Sequence, residues 1–167
     1  TDFALANAVL TAGAGSLSTI AGGALSDMLV AGTGKPQRAL LVPVIGSLLA
    51  IPLWMGVLQA QTFTVSMVCL LGAYLVAECW WGAVMSSLQG ALVPSVWGTV
   101  QGLVNAVQIV GNSSPFIIGA LVRRGLSLRT LLSVVVPCAH AICVMLFVLA
   151  SRVFSARKEL ESQSKTS

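Results

Sequence analysis

The chain has 167 residues, of which 56% are hydrophobic and only 8% are charged, and its formal net charge is +4. An ordinary soluble domain carries about 25% charged residues, so this composition excludes a water-soluble globular protein. The basic residues lie between and after the apolar stretches, and they form no basic run with interleaved aromatic residues. They therefore indicate membrane topology and contact with anionic membrane lipids, and exclude a nucleic-acid interface.

Three stretches of the sequence contain no Asp, Glu, Lys or Arg, and each is long enough to hold a membrane span of about 20 residues. They lie between Arg38 and Glu78, between Glu78 and Arg123, and between Arg129 and Arg152. A membrane β-barrel would instead show segments of about 10 residues with alternating polarity, which this sequence lacks. We therefore predict an all-α fold, a polytopic membrane helical bundle of about five transmembrane helices.

The predicted spans, in chain order, cover residues 3–30, 39–58, 63–92, 98–122 and 130–151. Together they form a bundle over residues 1–153, followed by a polar tail at residues 154–167. The first span is rich in Ala, Gly and Ser, and such small residues let helix backbones approach closely in lipid. In the fourth span, Gly98 and Gly102 form a GxxxG pair, which predicts close packing against a neighbouring helix.

The orientation of the bundle follows from the Lys and Arg residues of alternate loops, since their excess marks the cytoplasmic side. One side carries six of them and the other carries three. The first group is Lys35, Arg38, Arg152, Arg157, Lys158 and Lys165, and the second is Arg123, Arg124 and Arg129. We therefore expect a cytoplasmic C-terminus and a multi-pass location in a membrane.

A short motif links the first two spans. Gly23, Ser26 and Asp27, followed by a glycine-containing turn with Lys35 and Arg38, resemble the cytoplasmic loop signature of the major facilitator superfamily. The resemblance implies that the spans correspond to helices eight to twelve of that fold. It also implies a conformational gating loop, in which Asp27 and the cations make charge-assisted bonds to neighbouring helices. The alternative is an ordinary turn whose cations reach the lipid headgroups.

A second resemblance rests on scattered residues of the third and fourth spans. They are Glu78, Cys79, Trp80, Trp81, Gly82, Gln89, Pro94, Gly98, Gln101, Gly102, Gln108, Gly111, Pro115 and Gly119. This set is similar to the spinster-type branch of the superfamily, whose members export or salvage lysolipids and sphingolipids. The resemblance implies a lipid substrate. It also implies a protein partner, the N-terminal half of the same protein, which lies outside this chain.

Glu78 is the only acidic residue in the middle of a predicted span. An ionised carboxylate at the centre of a bilayer costs roughly 2.5 kcal/mol or more, so it needs water, a partner or a proton. One hypothesis is a coupling group that takes and releases a proton during transport. The other is a structural carboxylic acid that stays protonated. His140 in the fifth span is interpreted as a neutral packing residue, and the alternative is a proton relay.

Gln101, Asn105, Gln108 and Asn112, which we call the amide stripe, follow one another at spacings of four, three and four residues. This spacing stacks the four amides on one face of the fourth helix. Unsatisfied amides cost several kcal/mol each in hydrocarbon, so the stripe must face protein or water. We predict that it contacts substrate along a pathway, and the alternative is a set of interhelical hydrogen bonds.

The preceding span supplies the expected neighbours of the amide stripe, Glu78 and Gln89. Val104 and Ile109 lie between the stripe residues in sequence, and we expect both to lie off the pathway. The predicted pathway therefore runs between the third and fourth spans.

The predicted function is secondary active transport of a small solute or lipid by alternating access, with proton coupling through Glu78 as one option. The alternative is a non-transporting membrane subunit, or a degenerate half-transporter that acts through helix packing. The sequence shows no Ser-His pair, HExxH motif or paired carboxylates, so we expect neither an enzyme nor a metal or cofactor site.

Overall fold

The structure, a computed structural model, describes residues 2–164, and for residues 2–4, 6, 36, 90–91 and 157–164 it describes only the backbone. Its helices are α1 (Asp2–Ala31), α2 (Leu41–Gln59), α3 (Phe63–Ala77), α4 (Cys79–Ala91), α5 (Trp97–Gly111), α6 (Ser114–Arg123) and α7 (Leu128–Ser164). Short 3₁₀ turns at Pro36–Leu40 and Pro94–Val96 precede α2 and α5. No strand occurs within residues 2–164, so the predicted all-α fold is confirmed.

Five helical stretches of the described chain are long and apolar enough to cross a membrane. They are Asn7–Ala31, Gln37–Gln59, Phe63–Gln89, Pro94–Arg123 and Leu128–Ala156. Each overlaps one of the five predicted spans, and the predicted number of long apolar helices is confirmed. Helix α7 continues to Ser164, so the backbone remains helical through most of the segment predicted as a polar tail.

Two of the predicted spans are interrupted. The third breaks at Glu78, between α3 and α4, and the fourth breaks at Asn112 and Ser113, between α5 and α6. Pro115 explains the second break, because proline has no N–H and its ring clashes with the carbonyl four residues earlier. Neither Pro nor Gly lies within three residues of Glu78. The first break therefore requires an explanation from tertiary packing.

Helices α1 and α2 both approach the backbone of residues 76–79 at a glycine. A Cβ added to Gly22 would lie 2.7 Å from Cys79 Cα, and one added to Gly46 would overlap the Val76 carbonyl oxygen. Real Cβ atoms essentially never approach another heavy atom within 3.0 Å, so only glycine fits at either position. We call this arrangement, with residues 76–79 between Gly22 and Gly46, the glycine clamp. It coincides with the break at Glu78.

The crossing of α1 and α4 continues beyond the glycine clamp. A Cβ added to Gly82 would lie 2.6 Å from Gly23 N. One turn along α1, the fully buried Ser26 donates a hydrogen bond to the Gly22 carbonyl at 2.8 Å. The small residues of the first span therefore permit close helix packing, as predicted.

The GxxxG prediction for the fourth span is wrong for the described residues. A Cβ added to Gly98 or Gly102 would meet nothing within 4 Å. Helix α2 packs against α3 and α7, and α1 packs against α4, whereas α5 and α6 lie at the edge of the described bundle. Ile109 and Phe116 accordingly remain 71% and 80% exposed. Packing in this chain is concentrated in α1 to α4 and α7.

Replacing Gly22 by Ala should lower the free energy of unfolding by about 1–3 kcal/mol, because the methyl group would overlap backbone that no rotamer change can move. Gly13→Ala adds the same methyl group to the same helix where nothing lies within 4 Å. This control should keep or slightly raise stability, since Ala favours a helix over Gly by about 1 kcal/mol. Unfolding of the purified protein in detergent, followed by circular dichroism, measures both. Equal effects of the two substitutions would contradict the glycine clamp.

Candidate functional site

The break at Glu78 leaves carbonyl groups at the end of α3 without the partners that a continuous helix would provide. The Cys79 thiol donates to the Val76 carbonyl at 2.9 Å. The Glu78 carbonyl accepts from the Thr19 hydroxyl of α1 and from the Trp81 N–H, each at 3.4 Å. Backbone groups inside a membrane must be satisfied by protein or water, and these bonds satisfy the Val76 and Glu78 carbonyls.

The Glu78 side chain is half-buried and lines three grooves among the described residues. The first, which we call the hydroxyl groove, has a volume of about 460 Å³. Its other lining residues come from α1 and are Thr11, Gly15, Ser16, Thr19 and Ile20. The break thus places one carboxylate where cavities on different sides of the third span meet.

The second groove, the aromatic groove, has a volume of about 350 Å³ and lies between α2, α3, α4 and α7. Besides Glu78, it is lined by Ser47, Trp54, Tyr74, Ala77, Trp80, His140, Cys143 and Phe147. Apart from Glu78, none of these residues belongs to the pathway predicted from the sequence. They are spread over four helices at irregular separations, so no spacing along the chain could reveal that they meet.

The third groove, the amide groove, has a volume of about 750 Å³ and separates Glu78 and Trp80 from α5. Gln108 and Asn112 line it, together with Leu103, Val104, Val107, Gly111 and Cys143. Half of the amide stripe therefore faces the same space as Glu78. Val104, which was expected to lie off the pathway, lines this groove as well.

The other half of the amide stripe lies beside Gln89. Gln101 and Gln89 line a separate groove of about 240 Å³ between α4 and α5. Gln101 Nε2 donates a hydrogen bond to Asn105 Oδ1 at 3.2 Å, so two amides of the stripe satisfy each other. Both expected neighbours therefore lie across a groove from the amide stripe. Gln89 shares one groove with Gln101, and Glu78 shares another with Gln108 and Asn112. Contact with a substrate stays a prediction.

The predicted gating residues lie around the α1–α4 crossing and the turn that follows α1. Asp27 Oδ1 accepts a hydrogen bond of 2.6 Å from the Ser86 hydroxyl of α4, and Gly23, one turn earlier, packs near Gly82. Asp27 thus bonds to a neighbouring helix, and its role in gating stays a prediction. Lys35 and Arg38 are exposed in the turn beyond α1.

That turn depends on a glycine. Gly34 has a φ of +64°, in the left-handed region that favours glycine, and its N–H donates to the Val30 carbonyl at 2.7 Å. The Lys35 carbonyl then accepts from the Arg38 N–H at 3.0 Å, which starts the 3₁₀ turn. The turn therefore brings both cations to the end of the bundle where Asp27 bonds to Ser86.

Comparison of the chain with protein-family models, with curated proteins and with solved structures finds no match. The resemblance to the major facilitator superfamily and to its spinster-type branch therefore stays a prediction from the sequence motifs. The candidate site rests on its own geometry: a half-buried carboxylate at a helix break, aromatic rings on one side and amides on the other.

Proposed function

We propose that the chain forms part of the substrate pathway of a secondary active transporter. The observation that carries this proposal is the break in the third span at Glu78, where the hydroxyl, aromatic and amide grooves meet. Interrupted helices at membrane depth are tolerated where they are buried in protein or line a water-filled cavity. In secondary transporters such discontinuous helices commonly form the substrate and coupling-ion sites near the bilayer midplane.

The chemistry of the grooves supports transport over a purely structural role. Two amides that serve only as interhelical glue would be expected to bond to another helix. Gln108 and Asn112 instead line an open groove with Glu78. A carboxylate in a span needs water, a cation or a proton, and alternating exposure of Glu78 to the two faces would let it exchange such a ligand. This exchange is the physical basis for the proposed coupling.

In the full proposal, the five spans act as helices eight to twelve of a major facilitator-type transporter, with a small solute or lipid as substrate. The Asp27–Ser86 bond holds the α1–α4 crossing in one conformation, and the C-terminus faces the cytoplasm. The exposed side chains of α5 and α6 provide a surface against which the other half of a transporter would pack. The sequence motifs and the excess of basic residues on one side support these assignments.

The second candidate function is a non-transporting subunit. The observation that favours it is the same exposed apolar surface of the fourth span, which includes Val107, Ile109, Val110 and Phe116 at 66% to 80% exposure. A subunit of this kind needs the surface but no water-filled groove. Access of water to the grooves therefore separates the two candidates.

Two native cysteines of α7 provide a direct test of that access. Cys143 lines both the aromatic and the amide groove, whereas Cys138 lies about 140° around the helix from it. Cys143 should react several-fold faster with a charged, water-soluble thiol reagent in reconstituted vesicles, because thiolate formation requires water. Mass spectrometry of peptides identifies the labelled residue without any substitution. Equal or reversed labelling rates would contradict water-filled grooves.

Replacing Glu78 by Gln should abolish uptake driven by a pH gradient, because an amide binds no transferable proton. The full-length protein reconstituted in liposomes is first screened with lipids and small solutes, with and without the gradient. Glu78→Asp keeps the carboxylate and should keep part of the gradient-driven uptake. If Glu78→Gln takes up substrate as the unmodified protein does, Glu78 is not the coupling group.

A further inference from the structure

The aromatic groove brings rings from three helices to one carboxylate. Trp54 comes from α2, Tyr74 from α3 and Trp80 from α4, while Glu78 lies at the break between the last two. The groove volume of about 350 Å³ falls within the range of small-molecule sites, about 300–1,000 Å³.

Contacts with neighbouring residues hold the rings in place. The rings of Trp54 and Tyr74 pack edge to face, with centroids 6.3 Å apart and an interplanar angle of 74°. The Tyr74 hydroxyl donates to Asn7 Oδ1 of α1 at 3.3 Å. Trp80 packs edge to face on Trp81, with centroids 5.2 Å apart. A ligand would therefore meet rings that are already oriented, which lowers the entropic cost of binding.

The charge of the aromatic groove favours a cation. Glu78 is its only acidic lining residue, and His140 is the only basic residue among the described side chains that line it. The described Lys and Arg side chains lie at or beyond the ends of the spans. Aromatic faces attract cations within about 6 Å of the ring centroid, and aromatic cages recognise quaternary ammonium groups.

We propose that the aromatic groove binds a small organic cation of the alkylammonium or quaternary ammonium class, held by the Glu78 carboxylate and the rings of Trp54, Tyr74 and Trp80. The inference names the class of substrate and, as a statement about transport, rests on the proposed function. A hard metal cation fits this groove poorly. Such ions take about six or more oxygen ligands, whereas the groove offers one carboxylate and the hydroxyls of Ser47 and Tyr74.

The test uses the purified full-length chain in lipid nanodiscs and radiolabelled tetramethylammonium in equilibrium dialysis. At about pH 8 an ordinary histidine is neutral, so His140 should not oppose binding. Binding should be saturable, and an excess of sodium chloride should not displace the bound tetramethylammonium. 3,3-Dimethylbutan-1-ol, the uncharged isostere of choline, should fail to compete, because its tert-butyl group has the shape of a trimethylammonium group without its charge.

Substitutions inside and outside the groove distinguish loss of the binding site from a general effect on the protein. Trp80→Leu should weaken binding by about 2- to 30-fold through loss of one cation–π contact, and Glu78→Gln by at least about tenfold. Trp97→Leu removes a tryptophan from the start of α5, outside the groove, and should leave binding unchanged. Circular dichroism and monodisperse elution establish that each variant is folded. If Glu78→Gln does not fold, the two tryptophan variants still decide the outcome.

Several results would overturn the proposal: no saturable binding, competition by sodium or by the neutral isostere, or equal losses in Trp80→Leu and Trp97→Leu. The measurement involves no transport step. Binding without transport of any cation would leave the site in place and count against the proposed function. Transport without binding in this groove would count against the site alone.

Discussion

The glycine clamp is the constraint on which the rest of the structure depends. Gly22 of α1 and Gly46 of α2 allow two helices to reach the backbone of residues 76–79, where any side chain would overlap it. In lipid, helices associate by close packing and hydrogen bonds rather than by hydrophobic burial, so such close approach is a main source of cohesion. The third span breaks at this point, and the break brings Glu78 to the meeting point of three grooves.

The break and the function proposed for it are physically linked. A continuous helix satisfies its own backbone, whereas the break uses the Cys79 thiol and the Thr19 hydroxyl as replacement donors. At the break, the Glu78 carboxylate faces several cavities of the bundle at once. Aromatic rings can stabilise a cation on one side of Glu78, and the amides of Gln108 and Asn112 can bond to polar groups on the other. Such a position suits a ligand that must pass from one cavity to another.

Composition and uncharged gaps were enough to predict the five apolar helices, because the length of a span is fixed by the thickness of the bilayer. Pro115 could have indicated the break in the fourth span, but the break at Glu78 has no local signal and coincides with the close contacts of α1 and α2. Spacing grouped the amide stripe within one helix, yet could not show that it faces two grooves. The aromatic groove was missed because its residues meet only in the folded bundle. Likewise, the GxxxG pattern of Gly98 and Gly102 indicates that close packing is sterically allowed, but it does not show that a neighbouring helix is present.

The most direct test of the central claim, a wet break at Glu78 inside the membrane, is hydrogen–deuterium exchange of the chain in nanodiscs. Exchange requires both a weakened backbone hydrogen bond and access of water, and the proposed water-filled break provides both at residues 78–81. Amides there should exchange much faster than those at residues 66–74 of the same span, which lie within the continuous helix α3. Equal protection of the two segments would mean a closed, dry helix at Glu78 and would contradict the account.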